Sequence, residues 1–435
     1  KQFIHYTSLN ILGMMGLSAY ILADTIFIAR GLGESGLAAL NLAIPVYSLI
    51  SALGLMTGIG GATRHTIVRV REGSRAAGQV LFRSLVLAGI MGLLLFLTGL
   101  TLSDPISRFL GATGEALEMT RTYLGILLGF APFFLLNHTL LAYVRNDHNP
   151  TLSMAAMLAG SISNIILDWI LIFPLNMGMR GAALATGISP VLSLMVLSLH
   201  FIRGHSTLSV QRTSGIGGYL SIVRLGMSTF VTELSSGVVL VVFNLVILSL
   251  AGNTGLAAYG IVANLALVVM AMFTGMAQGV QPLISNLYAS GRTGDLRKIL
   301  IWSLGSALTL SVAINVLTLM AAVPLVELFN RDASPVLAEY AITGLFLYFP
   351  GFLFAGVNMV GIAGLSALNR AESAFRLSLL RGLVLLIPLV ILLSRLLGMT
   401  GVWLSFGVTE LMTLIPLFPG IREYTGCPAG NPVCP

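Results

Sequence analysis

Charge is what this chain lacks. Only 9% of its 435 residues are Asp, Glu, Lys or Arg, and the only lysines are Lys1 and Lys298. Neither lysine follows the glycines of a phosphate-binding loop, and His-Glu-x-x-His and Gly-x-Ser-x-Gly strings are also missing. The nucleotide-driven, zinc-protease and serine-hydrolase chemistries that those strings carry are therefore excluded. Cysteine is as scarce: Cys427 and Cys434 sit in a short Pro/Gly-rich tail, with no His nearby to make a metal site and nothing to suggest a disulfide framework. No Met precedes Lys1, and the first apolar run is too long and too uncharged at its start for a cleavable signal peptide, so the N-terminus reads as truncated.

What fills the space is apolar: 56% of the residues are hydrophobic, more than a soluble core can hide. Apolar stretches of about 20 residues recur along the whole length, and in lipid each must be helical to satisfy its own backbone. Twelve spans are expected, at roughly 4–29, 36–62, 79–102, 119–143, 151–173, 181–202, 219–250, 255–285, 298–322, 337–364, 375–394 and 399–420. The fold class is thus an all-α integral membrane protein, with the lipid bilayer as its first partner and no soluble domain between spans.

The net charge of +7 does not point to nucleic acid, because the arginines are spread over the loops without interleaved aromatics. They are sorted by side instead. Arg64, Arg69, Arg71 and Arg75 follow span 2, Arg145 follows span 4, Arg203 and Arg212 follow span 6, Arg292, Arg297 and Lys298 follow span 8, and Arg370 and Arg376 follow span 10. The opposite loops carry single arginines (Arg30, Arg108, Arg180, Arg331, Arg395) mixed with Asp104, Glu115, Glu118, Glu327 and Asp332. By the positive-inside rule both termini are expected in the cytoplasm of a multi-pass inner (cell) membrane protein.

The chain also repeats itself. Gly33-Glu-Ser-Gly-Leu-Ala-Ala39 matches Gly252-Asn-Thr-Gly-Leu-Ala-Ala258, and Gly178-Met-Arg-Gly-Ala-Ala-Leu-Ala-Thr-Gly187 matches Gly398-Met-Thr-Gly-Val-Trp-Leu-Ser-Phe-Gly407, at nearly the same shift. Two anchors in register imply two six-helix lobes related by a pseudo-two-fold axis along the membrane normal. The expected division is 1–205 for the N-lobe, 206–218 for a cytoplasmic linker, 219–422 for the C-lobe and 423–435 for a tail.

Four acids interrupt apolar spans: Asp24, Asp168, Glu233 and Glu410. A carboxylate at bilayer depth costs about 2.5–3.5 kcal/mol on insertion scales, which makes each a functional candidate. No Lys or Arg is expected deep in the same helices, leaving a proton, an inorganic cation or a cationic substrate to compensate them. Ser161, Asn164 and Asp168 recur at i, i+3 and i+7 on one helix face, an oxygen set suited to Na⁺, while the carboxylate alone serves a proton. Tyr20 and Asp24 are likewise one turn apart in span 1; if spans 1 and 5 face each other, the two carboxylates could share one ion. Met-rich and Phe-rich faces (Met270, Met272, Phe273, Met276; Phe346, Phe349, Phe352, Phe354) suit a forgiving cavity, and Pro45, Pro132, Pro190, Pro350 and Pro388 are expected bends.

In their order and spacing, four strings resemble the multidrug and toxic compound extrusion (MATE) transporters: Asp24-Thr-Ile-Phe-Ile-Ala-Arg-Gly-Leu-Gly33, Arg145-Asn-Asp-His-Asn-Pro150, Asn164-Ile-Ile-Leu-Asp168 followed by Gly181-Ala-Ala-Leu-Ala-Thr186, and Gly275-Met-Ala-Gln-Gly-Val-Gln-Pro282. The resemblance implies a secondary antiporter that exports bulky organic cations in exchange for Na⁺ or H⁺ by alternating access, without an enzymatic step, a cofactor or nucleic acid, and as a monomer. It places the ion site at Asp24, Asn164, Asp168 and Thr186, with Tyr123 beside them, and leaves Glu233 and Glu410 as secondary candidates; Tyr20, Met276 and Gln278 fall to the substrate cavity. A C-lobe site pairing Glu233 with a second acid is disfavoured, since span 10 offers only Glu339. The alternatives are a lipid-linked precursor flippase of the same superfamily, which the scarcity of deep Arg and Lys opposes, and an integral membrane enzyme, for which no catalytic string exists.

Overall fold

The computed structural model describes residues 1–202, 204, 206–213, 215, 217–329 and 334–425. Arg203, Arg331, Asp332, Cys427 and Cys434 lie outside the described residues. Every regular element among the described residues is helical. In chain order they are α1 (Gln2–Glu72), α2 (Ser74–Phe109), α3 (Gly114–Gly129), α4 (Ala131–Asn146), α5 (Pro150–Ile172), α6 (Gly178–Ile202), α7 (Tyr219–Ala289), α8 (Thr293–Phe329), α9 (Pro335–Tyr348), α10 (Phe352–Ala367), α11 (Ala371–Leu379), α12 (Leu386–Leu397) and α13 (Met399–Thr425).

By length and apolarity the described residues offer nine helical stretches able to cross a membrane, or ten if the bent pair α3–α4 is one crossing. Two of them, α1 and α7, are 71 residues long. At 1.5 Å per residue that is about 107 Å, several times the ~30 Å hydrocarbon core, so each has length for two crossings. Each turns at one glycine: Gly33 has φ 65°, ψ −153° and Gly252 has φ 58°, ψ −153°. Only glycine adopts this region without strain. These are the two glycines that open the first sequence repeat. The second repeat behaves the same way, since Gly178 and Gly398 have φ 58° and 59° at the starts of α6 and α13.

The sharp bends of α1 and α7 therefore belong to glycine, not to Pro45. Other proline expectations find structure: Pro132 sits at the start of α4, where α3 and α4 meet at 49°, and Pro350 lies in a 3₁₀ turn, Phe349–Gly351, between α9 and α10. Between α11 and α12 the helix widens into a π segment, Leu380–Leu385, just before Pro388.

The chain folds as two compact units. One is Ser8–Leu234; the other is Ser235–Pro435 together with Lys1–Thr7. Both divisions fall inside a long helix, near the starts of α1 and α7. In the first unit, the opening turns of α7 lie against the second half of α1 so closely that a Cβ on Gly226 would stand 2.0 Å from the Met56 carbonyl oxygen. In the other unit the opening turns of α1 repeat this contact, a Cβ on Gly279 standing 2.8 Å from the Tyr6 carbonyl oxygen. Small residues at such crossings are what membrane helices use to approach one another. The first unit's core gathers Ile28, Ile50, Leu124, Leu127, Leu135 and Ile172; the second is built around rings, among them Phe243, Phe273, Phe352, Trp403 and Phe406.

Candidate functional site

The site in the first unit begins with a seam of glycines. A Cβ on Gly13 would meet Met157 Sδ at 3.0 Å, one on Gly16 would meet Leu158 Cδ2 at 2.5 Å, and one on Gly31 would meet Ile172 Cγ2 at 2.6 Å. The missing side chains let α1 lie directly on α5, with residue numbers rising together along both helices. That contact carries Asp24 to Asp168: their carboxylates come within hydrogen-bonding distance of each other, and both are buried, Asp168 completely.

Around the pair the neighbours are polar and uncharged. With its amide turned to satisfy both partners, Asn164 donates to Asp168 Oδ2 (3.1 Å) and accepts from the Thr186 backbone N–H (3.2 Å). Tyr123 Oη donates to Thr186 Oγ1 at 3.5 Å. Pro190 on α6 has no N–H, so the Thr186 carbonyl loses its usual helical donor and is a further oxygen on this helix. On α1, Tyr20 Oη hydrogen-bonds Tyr47 Oη at 2.7 Å. Asp24 Oδ1, Asp168 Oδ1 and Ser161 Oγ are buried without a hydrogen-bond partner. No Lys or Arg forms an ion pair with Asp24, Asp168 or Glu233 among the described residues.

Two carboxylates at hydrogen-bonding distance cannot both remain bare anions; a proton or a cation must lie between them. The oxygen set could hold either. No group of three His, Cys, Asp or Glu side chains forms a metal site among the described residues, so a metal ion here would rely on amide, hydroxyl and carbonyl oxygens beside the two carboxylates.

The structure thus brings together Asp24, Asn164, Asp168, Thr186 and Tyr123, with Tyr20 one turn away. Glu233, on the opening turns of α7, lies in the same unit within electrostatic reach of Tyr47. Met276 and Gln278 are buried in the other unit. Glu410 requires a correction. An arginine does lie deep beside it: Arg381 Nε donates to Glu410 Oε1 at 2.6 Å, and Asn358 Nδ2 donates to both Glu410 Oε2 (2.8 Å) and the Glu410 carbonyl (2.7 Å). The expectation of no deep partner failed because Arg381, at what reads as the arginine-rich start of a span, is buried within a π segment and reaches Glu410. Tyr47 was missed as well; a tyrosine in an apolar helix carries no signal until the bend at Gly33 folds it back on Tyr20.

Comparison with known proteins fits this geometry. The MatE family profile matches residues 10–170 and again 228–392, once in each half of the chain. The chain belongs to the MatE family. Members of this family are transporters, not enzymes. Among curated relatives, "Multidrug export protein MepA" of Staphylococcus aureus (strain MRSA252) is 30% identical over 94% of this chain and 90% of its own length. The protein of the same name from Staphylococcus saprophyticus is 29% identical over the same shares. Among solved structures, a MATE transporter in complex with MaL6 superimposes with a TM-score of 0.91 at 25% identity, covering 98% of this chain and 96% of that one. The same figures describe an outward-facing multidrug resistance MATE family transporter of the MOP superfamily. This family member therefore has the two-lobed helical membrane fold expected from its sequence.

Proposed function

We propose that this transporter exports bulky organic cations and is driven by inward Na⁺ or H⁺ taken up at the Asp24–Asp168 pair, with the arginine-rich loops and both termini on the cytoplasmic side of the cell membrane. The observation that carries the reading is the close carboxylate pair on α1 and α5, flanked by unpartnered buried oxygens and ion-paired to no basic side chain among the described residues. When the shared ion binds, the pair is neutralised and α1 sits on its glycine seam against α5. When the ion leaves, two buried like charges repel, and α1 is the element free to respond because its bend at Gly33 lies only a few turns beyond Asp24. Ion binding and the position of α1 are thereby linked, and linkage requires the exported cation to weaken ion binding by the factor by which the ion weakens cation binding. The multidrug export named for the staphylococcal relatives supports this choice of cargo.

The test is efflux of a fluorescent organic cation from proteoliposomes under separately imposed Na⁺ and H⁺ gradients, with Asp168→Asn as comparison. Transport driven by one gradient and abolished by the substitution is expected, and identifies the ion. Gradient-driven transport that persists unchanged in Asp168→Asn would move the coupling away from this pair.

A further inference from the structure

The second unit is a copy of the first, and its version of the ion site has been rebuilt. The repeat anchors define the equivalence: Gly33 and Gly252 are 219 positions apart, Gly178 and Gly398 are 220 apart. The helices preceding α6 and α13 follow a slightly larger shift, because Gly181 is crowded against Leu171 and Gly401 against Leu393, 222 positions apart. On this frame Asp24 corresponds to Phe243 and Thr186 to Phe406. Over the whole range of shifts, Asn164 falls among Leu383, Val384, Leu385 and Leu386, and Asp168 among Ile387, Pro388, Leu389 and Val390. Every one of these positions is apolar.

Two of the replacements gather on one ring, that of Tyr348. Phe406 stacks on Tyr348 with ring centroids 4.3 Å apart, and Phe243 packs edge-on against the same ring at 6.4 Å. Where the first unit holds Asp24 and Thr186 the second holds rings, and where it holds Asp168 the second holds an apolar side chain. Its own deep carboxylate, Glu410, is one helical turn beyond Phe406, at the position equivalent to Pro190.

That carboxylate is not left for an exchangeable ion. Arg381 and Glu410 are both buried, their side chains 9% and 2% exposed. Asn358 is wholly buried and supplies both hydrogens of its amide to Glu410, while its Oδ1 is buried without a partner. Arg381 reaches this place from within the π segment, where it is the buried residue; such segments recur at functional sites.

We propose that Glu410 and Asn358 form a cation site for guanidinium-class groups, and that Arg381 is its resident, covalently tethered occupant. The second unit then carries its compensating cation through the transport cycle without exchanging it, which leaves ion exchange to the first unit. The proposal adds to the function argued above but does not depend on it for its test.

Removing the tether must leave a vacant, selective site. In purified native transporter, Arg381→Ala is expected to lower the thermal unfolding midpoint by several degrees, and methylguanidinium at millimolar concentration is expected to recover at least half of that loss, with sodium at the same concentration recovering none. The native protein and an Arg381→Met/Glu410→Gln double variant should show no such response, and the double variant should unfold near the native midpoint because neither charge is left unpaired. An Arg381→Ala protein that folds and ignores methylguanidinium would overturn the proposal, and so would a double variant as unstable as Arg381→Ala. Should Arg381→Ala fail to fold at all, the double variant decides alone: a folded double variant upholds charge compensation as the role of Arg381, and a misfolded one refutes it. None of these readouts involves transport, so loss of the Asp24–Asp168 reading would leave them standing.

Discussion

Asp147, at the end of α4, is the hub that fastens the segment between α6 and α7, and its removal should free that segment. Its carboxylate is fully buried. It accepts from the Thr207 backbone N–H (2.8 Å) and from the Thr207 hydroxyl. Beyond the segment it accepts from His200 Nε2 on α6 at 2.8 Å and from Arg69 Nη1 on α1 at 3.2 Å. Further along, Gln211 N–H donates to the Gly78 carbonyl at 3.2 Å, so residues 206–213 run as a strap over the arginine-rich end of the first unit. In Asp147→Ala the strap loses both Thr207 bonds. Hydrogen bonds to a charged acceptor contribute about 1.5–3 kcal/mol each, so at the low end the strap is weakened by about 3 kcal/mol. Arg69, about a third exposed, keeps its 2.6 Å bond to the Thr207 hydroxyl, a solvent-screened contact that adds little to the strap. At 1.4 kcal/mol per factor of ten, opening of the strap becomes about a hundredfold more populated.

Trypsin reads this directly, because Arg212 is exposed within the strap. Under conditions where opening is fast relative to cutting, cleavage after Arg212 in folded, detergent-purified protein should accelerate by about two orders of magnitude in Asp147→Ala and by about one in Thr207→Val, which keeps only the backbone donor. Equal cleavage rates in native protein and Asp147→Ala would refute the assignment. The pH dependence has a definite sign. Burial raises the Asp147 pKa, but the hydrogen bonds from Thr207 and His200 outweigh it and hold the carboxyl below its ordinary value. A depressed folded pKa means that this contribution is fully present above the unfolded value of about 3.9 and is lost as pH falls through the lower, folded one. Hydrogen exchange of the Thr207 amide should therefore keep its protection against Asp147 protonation at pH 5 and above, and lose it only in strong acid.

Three further outcomes follow from the packing. Gly33→Ala and Gly252→Ala each place a Cβ on a backbone with φ near +60° and should each cost about 1–2 kcal/mol by thermal unfolding; a cost at one glycine only would break the equivalence of the two bends. Gly226→Val drives a side chain into the Met56 carbonyl and should cost about 3 kcal/mol or more in stability or folded yield, whereas Gly89→Val, with nothing within 4 Å of the added Cβ, should stay within about 0.5 kcal/mol. A double-mutant cycle of Tyr20→Phe and Tyr47→Phe, read by unfolding, should return a coupling of about 1 kcal/mol for the 2.7 Å phenol contact, and additive losses would show that the two hydroxyls do not depend on each other.

What the sequence made legible was whatever breaks the apolar background. Asp24, Asn164 and Asp168 stand out because polar groups in a hydrocarbon span are expensive, and helix periodicity then puts Asn164 and Asp168 on one face without any tertiary information. Gly33 and Gly252 were visible as the openings of two similar strings, Gly-Glu-Ser-Gly-Leu-Ala-Ala and Gly-Asn-Thr-Gly-Leu-Ala-Ala, which showed the duplication but not that the chain bends there. What stayed hidden depends on partners distant in sequence. Tyr47 reaches Tyr20 across 27 residues and a glycine bend. Arg381 reaches Glu410 across 29 residues and a π segment that no periodicity announces. In each case the residue type was visible and its direction was not.

The same limit explains how one duplicated frame can hold two different interiors. The glycines that set the bends recur in both halves with matching backbone angles, because each does work that no side-chain residue can do. The positions lining the site are under no such backbone constraint, and there the halves diverge: Asp24 against Phe243, Thr186 against Phe406, Pro190 against Glu410. In the first half Pro190 frees a carbonyl beside two uncompensated carboxylates; in the second, apolar side chains stand at the equivalent positions, Phe243 among them, and the deep acid Glu410 is paired with an arginine of the same unit. A site that must release its ion cannot carry a tethered cation, and a lobe that only has to remain neutral gains by carrying one. On the function proposed above, that asymmetry of charge between the halves is the ground for assigning ion exchange to the first.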